Sequence, residues 1–423
     1  MTLGTGSGLS VSSVVPSPES SARVYWTAFI GLFFDYYDLY LFVYLAKTLT
    51  TEFALTTAQG DWLQFTGLAG VGVGSLLFGY LADRFGRGRM MLAVFAVYAF
   101  GIAGLSLAWS YESLLAFRLL ASMALGAEWG ISHTYLAERV DGARRYRFAA
   151  LLQFSILGGL LAALATKYAL PVLGWRELFA LSIVPVILLS LFRWRVLAVD
   201  AARPAGTRAL QESRPEAGLP REGANESGHN APPTVGLMRA MAANWRPFLL
   251  CFGLASLTIA SGTINVFYAK DLPQSTLYTV LFWGNVAPGM LAGVWVVKRW
   301  GVGRALALYA GGLLVLSLGA WFSGSAPHST DSGQGALWFA LVLPLLNGIP
   351  LGLMGAWFNE IFEDFRTMLS GAAYNLGRIL AGFAPVLITA LGLHENGRYF
   401  LFSAGLGLVV LGLAGVIGRG RAG

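Results

Sequence analysis

Residues 79–89 read Gly-Tyr-Leu-Ala-Asp-Arg-Phe-Gly-Arg-Gly-Arg and lie between two apolar runs of helix length, 62–82 and 90–109. The acidic and basic side chains of this stretch cannot lie in hydrocarbon, so we expect a tight loop at a membrane surface. Gly79 lets the end of the first helix approach a neighbour closely, and Gly86 allows the backbone to reverse. The stretch therefore predicts two membrane-spanning helices joined by a short charged turn.

The composition of the whole chain is typical of an integral membrane protein. Of its 423 residues, 56% are hydrophobic and 12% are charged, whereas about 25% of the residues of a soluble domain are charged. A span needs roughly 20 apolar residues, so the chain has room for about twelve spans and one long loop. The single cysteine, Cys251, lies in an apolar run and is expected to be a packing residue.

The apolar runs fall into two groups of six. Residues 1–22 are rich in Ser, Gly and Pro and are expected to form a disordered tail, and 23–198 form the first six-helix half. Residues 199–240 combine proline with alternating Arg and Glu, so we expect a flexible cytoplasmic linker there. The second half is 241–423. The predicted fold class is an all-α membrane protein with twelve transmembrane helices in two pseudo-repeats.

Lysine and arginine indicate the orientation of the chain. With the N-terminus inside, most of the 29 basic residues fall on the cytoplasmic side, including Arg193. The basic residues expected outside are Lys47, Lys167, Arg176, Lys270 and Arg398. This asymmetry predicts that both termini are cytoplasmic, and it explains the net charge of +7 without a nucleic-acid partner. The expected location is the inner cell membrane, where the chain crosses the lipid bilayer several times.

Landmarks in the two halves recur at a constant distance along the chain. The recurring pairs, each 222 residues apart, are Gly126 with Gly348, Glu138 with Glu360, and Arg144 with Arg366. A constant offset over several landmarks predicts two parallel six-helix repeats, related by an axis along the membrane normal.

The pattern G-x-L-A-D-R-x-G-R-x-R at 79–89 resembles the signature between transmembrane helices 2 and 3 of the major facilitator superfamily. The resemblance implies a transporter that works by alternating access, in which Asp83 bridges the two halves in the outward-facing state. The residues expected to form the gating motif are Gly79, Asp83, Arg84, Gly86, Arg87, Glu138, Arg144, Glu360 and Arg366.

Few acids lie within the predicted spans. Asp35 and Asp38 are three residues apart on one face of the first span. Two carboxylates so close in a low dielectric should not both ionise easily, so the pair is a candidate for proton coupling. The alternative is a permanent ion pair between one aspartate and a buried arginine. Glu128, between Gly126 and Gly130 in the fourth span, is a third candidate, with a structural or gating role as its alternative.

Two arginines lie within the spans, Arg118 in the fourth and Arg378 in the eleventh. A guanidinium that faces a central cavity is a good bidentate receptor for a carboxylate substrate. For Arg118 an ion pair with Asp35 or Asp38 is an equal alternative, and for Arg378 the alternative is a clamp between the halves. Further candidates for contact with the substrate are Tyr37, Gln153 and Asn375. His133 is expected to be a packing residue.

Four short motifs occur together in the chain: Asp-x-x-Asp at 35–38, Gly-x-Glu-Trp-Gly at 126–130, Gly-Trp-Arg at 174–176 and Tyr-Asn-x-Gly-Arg at 374–378. This set resembles the metabolite:proton symporters, including the sialate and monocarboxylate carriers, and more distantly the aromatic-acid:proton symporters. The resemblance implies uptake of a small organic anion together with protons, and we expect the protein to work as a monomer. The sequence has no phosphate-binding loop, no Cys/His metal spacing and no nucleophile with a base. We therefore expect no enzymatic activity, cofactor or metal. The alternatives are an exporter driven by proton antiport and a membrane sensor on a transporter fold.

Overall fold

The computed structural model describes residues 18–140, 142–202, 236–270, 276–322, 333–393 and 397–419, and every element of regular secondary structure in these ranges is a helix. The helices of the first half are α1 (Pro18–Glu52), α2 (Thr57–Phe85), α3 (Arg87–Ser106), α4 (Tyr111–Arg139), α5 (Gly142–Gln153), α6 (Gly158–Tyr168), α7 (Leu170–Leu173) and α8 (Trp175–Ala202). Helices α5 and α6 are joined by a 3-10 turn and form a single span.

The second half repeats this order of long helices. Its helices are α9 (Leu237–Lys270), α10 (Thr276–Trp300), α11 (Val302–Phe322), α12 (Gly333–Ile361), α13 (Arg366–Gly382), α14 (Ala384–Ala390) and α15 (Tyr399–Arg419). Helices α13 and α14 form one span that is interrupted at Phe383, two residues before Pro385. This interruption is expected because proline has no N–H to continue the hydrogen-bond ladder.

The described helices account for twelve spans. Eleven segments are long and apolar enough to cross a membrane, and the 34-residue α9 completes the second group of six. Helix α8 continues to Ala202 and α9 begins at Leu237, so both ends of the predicted linker are helical; 203–235 lie outside the described residues. Helix α1 begins at Pro18, within the predicted tail, and 1–17 lie outside the described part.

The two halves repeat the same helix packing. Gly126 of α4 lies against the Val71 carbonyl of α2, and Gly348 of α12 lies against the Val286 carbonyl of α10. A Cβ at either glycine would overlap that carbonyl group, so the close approach of each helix pair requires its glycine. The two glycines are 222 residues apart, so the offset seen in the sequence joins equivalent positions of the fold.

The halves meet along helix pairs that cross from one repeat to the other. Helix α2 packs against α13, α5 packs against α12, and α4 contacts both α12 and α13. Helices α2 and α4 each begin with a capping box, at Thr56 and Ser110, that satisfies first-turn N–H groups locally. Helix α13 begins without a side-chain cap of its own, because Phe365 stands at that position. The candidate site lies along this interface.

Candidate functional site

A small cavity lies between the halves and has room for roughly one water molecule. It is lined by Leu32, Asp35, Tyr36, Leu125, Trp129 and Arg378. The charged residues of this lining come from opposite halves, Asp35 from α1 and Arg378 from α13. Within the described part of the chain they form no ion pair with each other. Asp35 Oδ2 and Arg378 Nη2 are both buried without a hydrogen-bond partner among the residues that the structure describes.

Asp38 belongs to a different polar group, inside the first half. The groups that act on its carboxylate are the Ser182 hydroxyl of α8 and the Arg118 guanidinium of α4. Neither Asp38 oxygen has a hydrogen bond of ordinary geometry to a described residue, and no ion pair joins Asp38 to Arg118 there. Arg118 is buried, with its guanidinium 3.6 Å above the ring of Phe42. The two predicted arginines are therefore separated: Arg378 reaches the cavity and Arg118 lies with Asp38.

Hydrogen bonds join three polar side chains at the cavity across the two halves. Gln153 Nε2 donates to the hydroxyls of Tyr36 at 3.1 Å and Tyr374 at 3.4 Å, and these hydroxyls are 3.2 Å apart. Trp129 Nε1 donates to Gln153 Oε1 at 3.2 Å. Because Tyr374 lies on α13 and the others lie in the first half, this network is broken whenever the halves separate at this level.

The ring of Trp129 is stacked on the ring of Tyr374, with centroids 3.9 Å apart and planes 3° from parallel. Beside it, Asn375 Nδ2 donates to the Gly126 carbonyl at 2.8 Å, while Asn375 Oδ1 is buried without a partner among the described residues. Asn375 is thus a tie between α13 and α4. The other face of Trp129 is covered by His133, at a centroid distance of 4.3 Å.

The structure places one of the predicted substrate-contact residues differently from the sequence analysis. Tyr37 does not line the cavity: it is buried close to Asp38 and Ser182, and the tyrosine that reaches the cavity is its neighbour Tyr36. Consecutive residues of a helix point about 100° apart, so only one of two adjacent tyrosines can face the cavity. His133, expected to be a packing residue, packs at the interface of the halves, against Gly355 of α12.

Glu128 is held in a buried ion pair with Arg193 of α8. Both arginine Nη atoms reach the carboxylate, Ser132 Oγ donates to Glu128 Oε1 at 2.7 Å, and Arg193 Nε donates to the Thr27 carbonyl at 3.0 Å. Arg193, counted with the basic residues of the cytoplasmic side, is fully buried between the helices. Its guanidinium lies 4.0 Å from the centre of the Phe95 ring. This geometry favours the structural alternative for Glu128, because both carboxylate oxygens have partners.

Asp83 connects the end of α2 to the start of α13. Its carboxylate accepts hydrogen bonds from the backbone N–H groups of Thr367 at 3.1 Å and Met368 at 2.9 Å. Because α13 begins at Arg366, these are first-turn N–H groups that have no acceptor inside their own helix. Asp83 therefore caps α13 from the other half. A Cβ at Gly79 would lie 2.8 Å from Met368 Cα, so a glycine is needed for this approach.

Arg87 contacts both of the acidic side chains beside this cap. Its Nη2 lies 2.9 Å from Asp83 Oδ1 and 3.2 Å from Glu138 Oε1, and its Nε donates to Thr367 Oγ1 at 3.3 Å. The turn before it is made by Gly86, at a φ of 94° that favours glycine. We call the group formed by Asp83, Arg87, Glu138, Thr367 and Met368 the α2–α13 closure.

A second charged contact joins α5 to α12. Glu360 Oε2 accepts a hydrogen bond from Tyr146 at 2.6 Å, and Glu360 Oε1 lies 3.9 Å from Arg145 Nη1. Arg144, the predicted gating residue, is exposed, so the neighbouring arginine takes this place. The remaining gating candidates form hydrogen bonds with residues four positions earlier in the chain. Arg84 Nη1 donates to the Tyr80 hydroxyl at 3.0 Å, and Arg366 Nε donates to the Phe362 carbonyl at 2.9 Å.

Sequence reasoning missed Tyr36, Trp129, Tyr374, Arg145 and Arg193 as site or interface residues. Trp129 and Tyr374 stand inside the quoted motifs of the fourth and eleventh spans, next to Glu128 and Asn375, so the motifs themselves were the available signal. Arg193 lies near the end of an apolar run, where the sequence alone does not distinguish burial from a surface position. No group of three or more His, Cys, Asp or Glu side chains within the described ranges could hold a metal ion.

Comparison with known proteins shows which family and which solved structures this chain is similar to. The family model for the Major Facilitator Superfamily matches residues 28–385. The niacin transporter NiaP of Acinetobacter baylyi is 26% identical over 419 residues, which cover 93% of this chain and 92% of that protein. A cis,cis-muconate transport protein of the same organism is 28% identical, covering 92% and 90%. The solved structure of the proton:xylose symporter XylE has a TM-score of 0.68 at 16% identity, covering 93% and 94%.

Proposed function

The chain belongs to the major facilitator superfamily, a family of membrane transporters, and from this premise we propose that it carries a small organic anion into the cell together with protons. The observation that carries the proposal is the pairing at the central cavity: a carboxylate from one half and a guanidinium from the other face the same small space without forming an ion pair. One group can receive an anion and the other can hold a proton.

Arg378 is the proposed receptor for the anion. Its Nη2 is buried with no hydrogen-bond partner among the described residues, and an unpaired buried donor is costly unless a ligand satisfies it. A guanidinium binds a carboxylate through two parallel hydrogen bonds, which fixes both position and orientation. The relatives support a carboxylate, because niacin and muconate are both carboxylates.

Asp35 is the proposed coupling group. When ionised, it repels an incoming carboxylate and attracts Arg378, and in the low dielectric of the site both effects are strong. When protonated, it does neither, so Arg378 is free to hold the anion. Release of the proton restores the repulsion and expels the substrate. Coupling then requires no direct contact between the proton and the substrate. The nearby carboxylate of Asp38 supports this role, because its negative charge favours the protonated form of Asp35.

Alternating access is proposed to use the α2–α13 closure and the Arg145–Glu360 contact as one closed end of the pathway. Both lie at the ends of helices that the charge pattern predicts to be cytoplasmic. With both termini inside, this closure separates the cavity from the cytoplasm. Opening it while the opposite end closes would deliver substrate and proton to the cytoplasm.

The test is uptake into proteoliposomes with an imposed pH gradient, acidic outside, with labelled nicotinate, benzoate and muconate as probes. We expect accumulation of at least one of these acids, and its loss when the gradient is collapsed. In Asp35→Asn the exchange of substrate across the membrane should persist while accumulation falls to equilibration, because the variant mimics the protonated state. Asp61→Asn, which neutralises an exposed acid of α2, is the matched control.

Arg378→Lys should bind the substrate roughly tenfold more weakly or worse, although the charge is kept, because an ammonium cannot form the planar pair of hydrogen bonds. Arg299→Lys, at an exposed position of α10, is its control. Full accumulation by Asp35→Asn would show that another group carries the proton. Efflux of the substrate driven by inward proton flow would show that the protein is an exporter.

A further inference from the structure

We propose that Trp129 and Tyr374 are the two walls of a slot for a flat, conjugated ring, so that the transporter selects planar monocarboxylates. This inference rests on the proposed function and names the class of anion that the site takes. Trp129 lines the cavity, its ring faces that of Tyr374 across the boundary between the halves, and both side chains are 2% exposed.

The two rings form a parallel stack that joins the halves. Their centroids are 3.9 Å apart and their planes lie within 3° of parallel. Aromatic rings attract each other in stacked arrangements. A flat conjugated ring inserted between the indole and the phenol would replace this one stacked contact by two.

The slot can open because its walls belong to different halves. Trp129 is on α4 and Tyr374 is on α13, so a small separation of the halves at this level parts the rings. Carbon atoms in contact are about 3.5–4.0 Å apart, so a ring inserted between the walls requires about this much additional separation. In this structure the two walls are in contact with each other, and only a small cavity lies beside them.

Arg378 stands where the carboxylate of such a ligand would lie. Tyr374 and Arg378 are four residues apart on α13, so they share one helix face and are separated by a rise of about 6 Å. A ring on Tyr374 therefore presents a directly attached carboxylate towards Arg378. On the other side of the slot, the Gln153 amide and the Tyr36 hydroxyl provide polar contacts for the ring edge.

The charge of the lining favours a single carboxylate. Of the residues that line the cavity, Arg378 is the cation and Asp35 is the acid. Arg118 lies with Asp38 and does not reach the cavity. A second carboxylate on the ligand would find no cation in the lining and would meet Asp35, so a dicarboxylate of the same shape should bind more weakly.

Three probes separate ring shape from charge: benzoate, cyclohexanecarboxylate and terephthalate. Binding to the purified full-length protein is measured by calorimetry, and gradient-driven uptake is measured in proteoliposomes. Benzoate and cyclohexanecarboxylate have the same carbon skeleton and one carboxylate, but only benzoate is flat. We expect benzoate to bind roughly tenfold more tightly than cyclohexanecarboxylate, and terephthalate to bind more weakly than benzoate.

Substitutions of Trp129 test whether the preference for a flat ring comes from the slot. Trp129→Leu should bring the affinity ratio of benzoate to cyclohexanecarboxylate close to one, and Trp129→Phe should retain most of it. Trp295→Leu, which removes an exposed tryptophan of α10, should leave the ratio unchanged. Arg378→Lys should weaken both acids by a similar factor and so keep the ratio. If Trp129→Leu does not fold, the ratio measured with the unaltered protein and with Trp129→Phe still decides the matter.

Different results would contradict the aromatic slot and the proposed transport function. Equal affinity for benzoate and cyclohexanecarboxylate, with proton-driven uptake of both, overturns the slot and leaves an anion transporter. Tighter binding of terephthalate than of benzoate overturns the preference for one carboxylate. The absence of binding and uptake for all three acids overturns both.

Discussion

Among single residues, the buried charges are of two kinds, those with a full set of partners and those without. Glu128 and Arg193 satisfy each other, and Ser132 and the Thr27 carbonyl complete the group. Asp35 and Arg378 leave polar atoms unpaired at the cavity. A charge that has all its partners stabilises one structure, whereas a charge that lacks them can respond to a proton or a ligand. We therefore propose a structural role for the first pair and a role in transport for the second.

Glu128→Gln is expected to destabilise the protein by about 3–5 kcal/mol, because it leaves the Arg193 guanidinium buried without a counter-charge. The measurement is thermal unfolding of the purified protein in detergent. Glu112→Gln, which alters an exposed glutamate at the start of the same helix, is the control and should unfold like the unaltered protein. A Glu128→Gln variant that keeps its stability but no longer accumulates substrate would instead make Glu128 a proton carrier.

Asp83→Asn is expected to slow transport much more than it weakens binding, because Asp83 lies at the end of α2 and not in the cavity lining. Asparagine retains one acceptor but loses the charge that pairs with Arg87, so the balance between open and closed states shifts. A cap is worth about 0.5–2 kcal/mol, which corresponds to a roughly twofold to thirtyfold change in that balance. Transport rate and substrate affinity, measured on the same preparation, separate the two effects; normal turnover with lost affinity would contradict the assignment.

Among the helices, α2 approaches the backbone of α13 closely at Gly79, across the interface of the halves. Gly79→Ala is expected to push the two helices apart and open the α2–α13 closure, because the added Cβ meets backbone that cannot move aside. The reporter is the alkylation rate of Ser370→Cys, a buried position of α13, in a Cys251→Ser background. The rate should rise. Gly311→Ala, in α11 with open space around it, should leave the rate unchanged, and an unchanged rate in Gly79→Ala would refute the close approach.

The helices also show how far the sequence could predict the site. Apolar runs and the 222-residue offset predict twelve spans in two repeats, because both depend on residue spacing along the chain. The rotation of each helix depends on packing, which spacing does not reveal. This is why the prediction chose Tyr37 and Arg144 where Tyr36 and Arg145 make the contacts. Partners from distant helices, such as Arg193 for Glu128, are set by tertiary structure alone.

For the whole molecule, the distribution of basic residues predicts that the connection between the halves is cytoplasmic and that the connection between α11 and α12 faces outward. In a Cys251→Ser background, Ser325→Cys should react with a membrane-impermeant maleimide added to intact cells. Ser213→Cys should react only after the membrane is permeabilised. The reverse pattern would invert the proposed topology and, with it, the side of the membrane that the α2–α13 closure seals.

In the proposed alternating-access cycle, the capping of α13 by Asp83 means that water must enter each time this end opens. When the halves part, the N–H groups of Thr367 and Met368 exchange a carboxylate for water, since Phe365 offers no side-chain cap. The free energy involved is a small difference between two acceptors, so binding of a small ligand is enough to reverse it. The cycle then depends on water activity. A polymer that is excluded from the opening withdraws water and favours the capped state, so osmotic pressure on that side slows turnover.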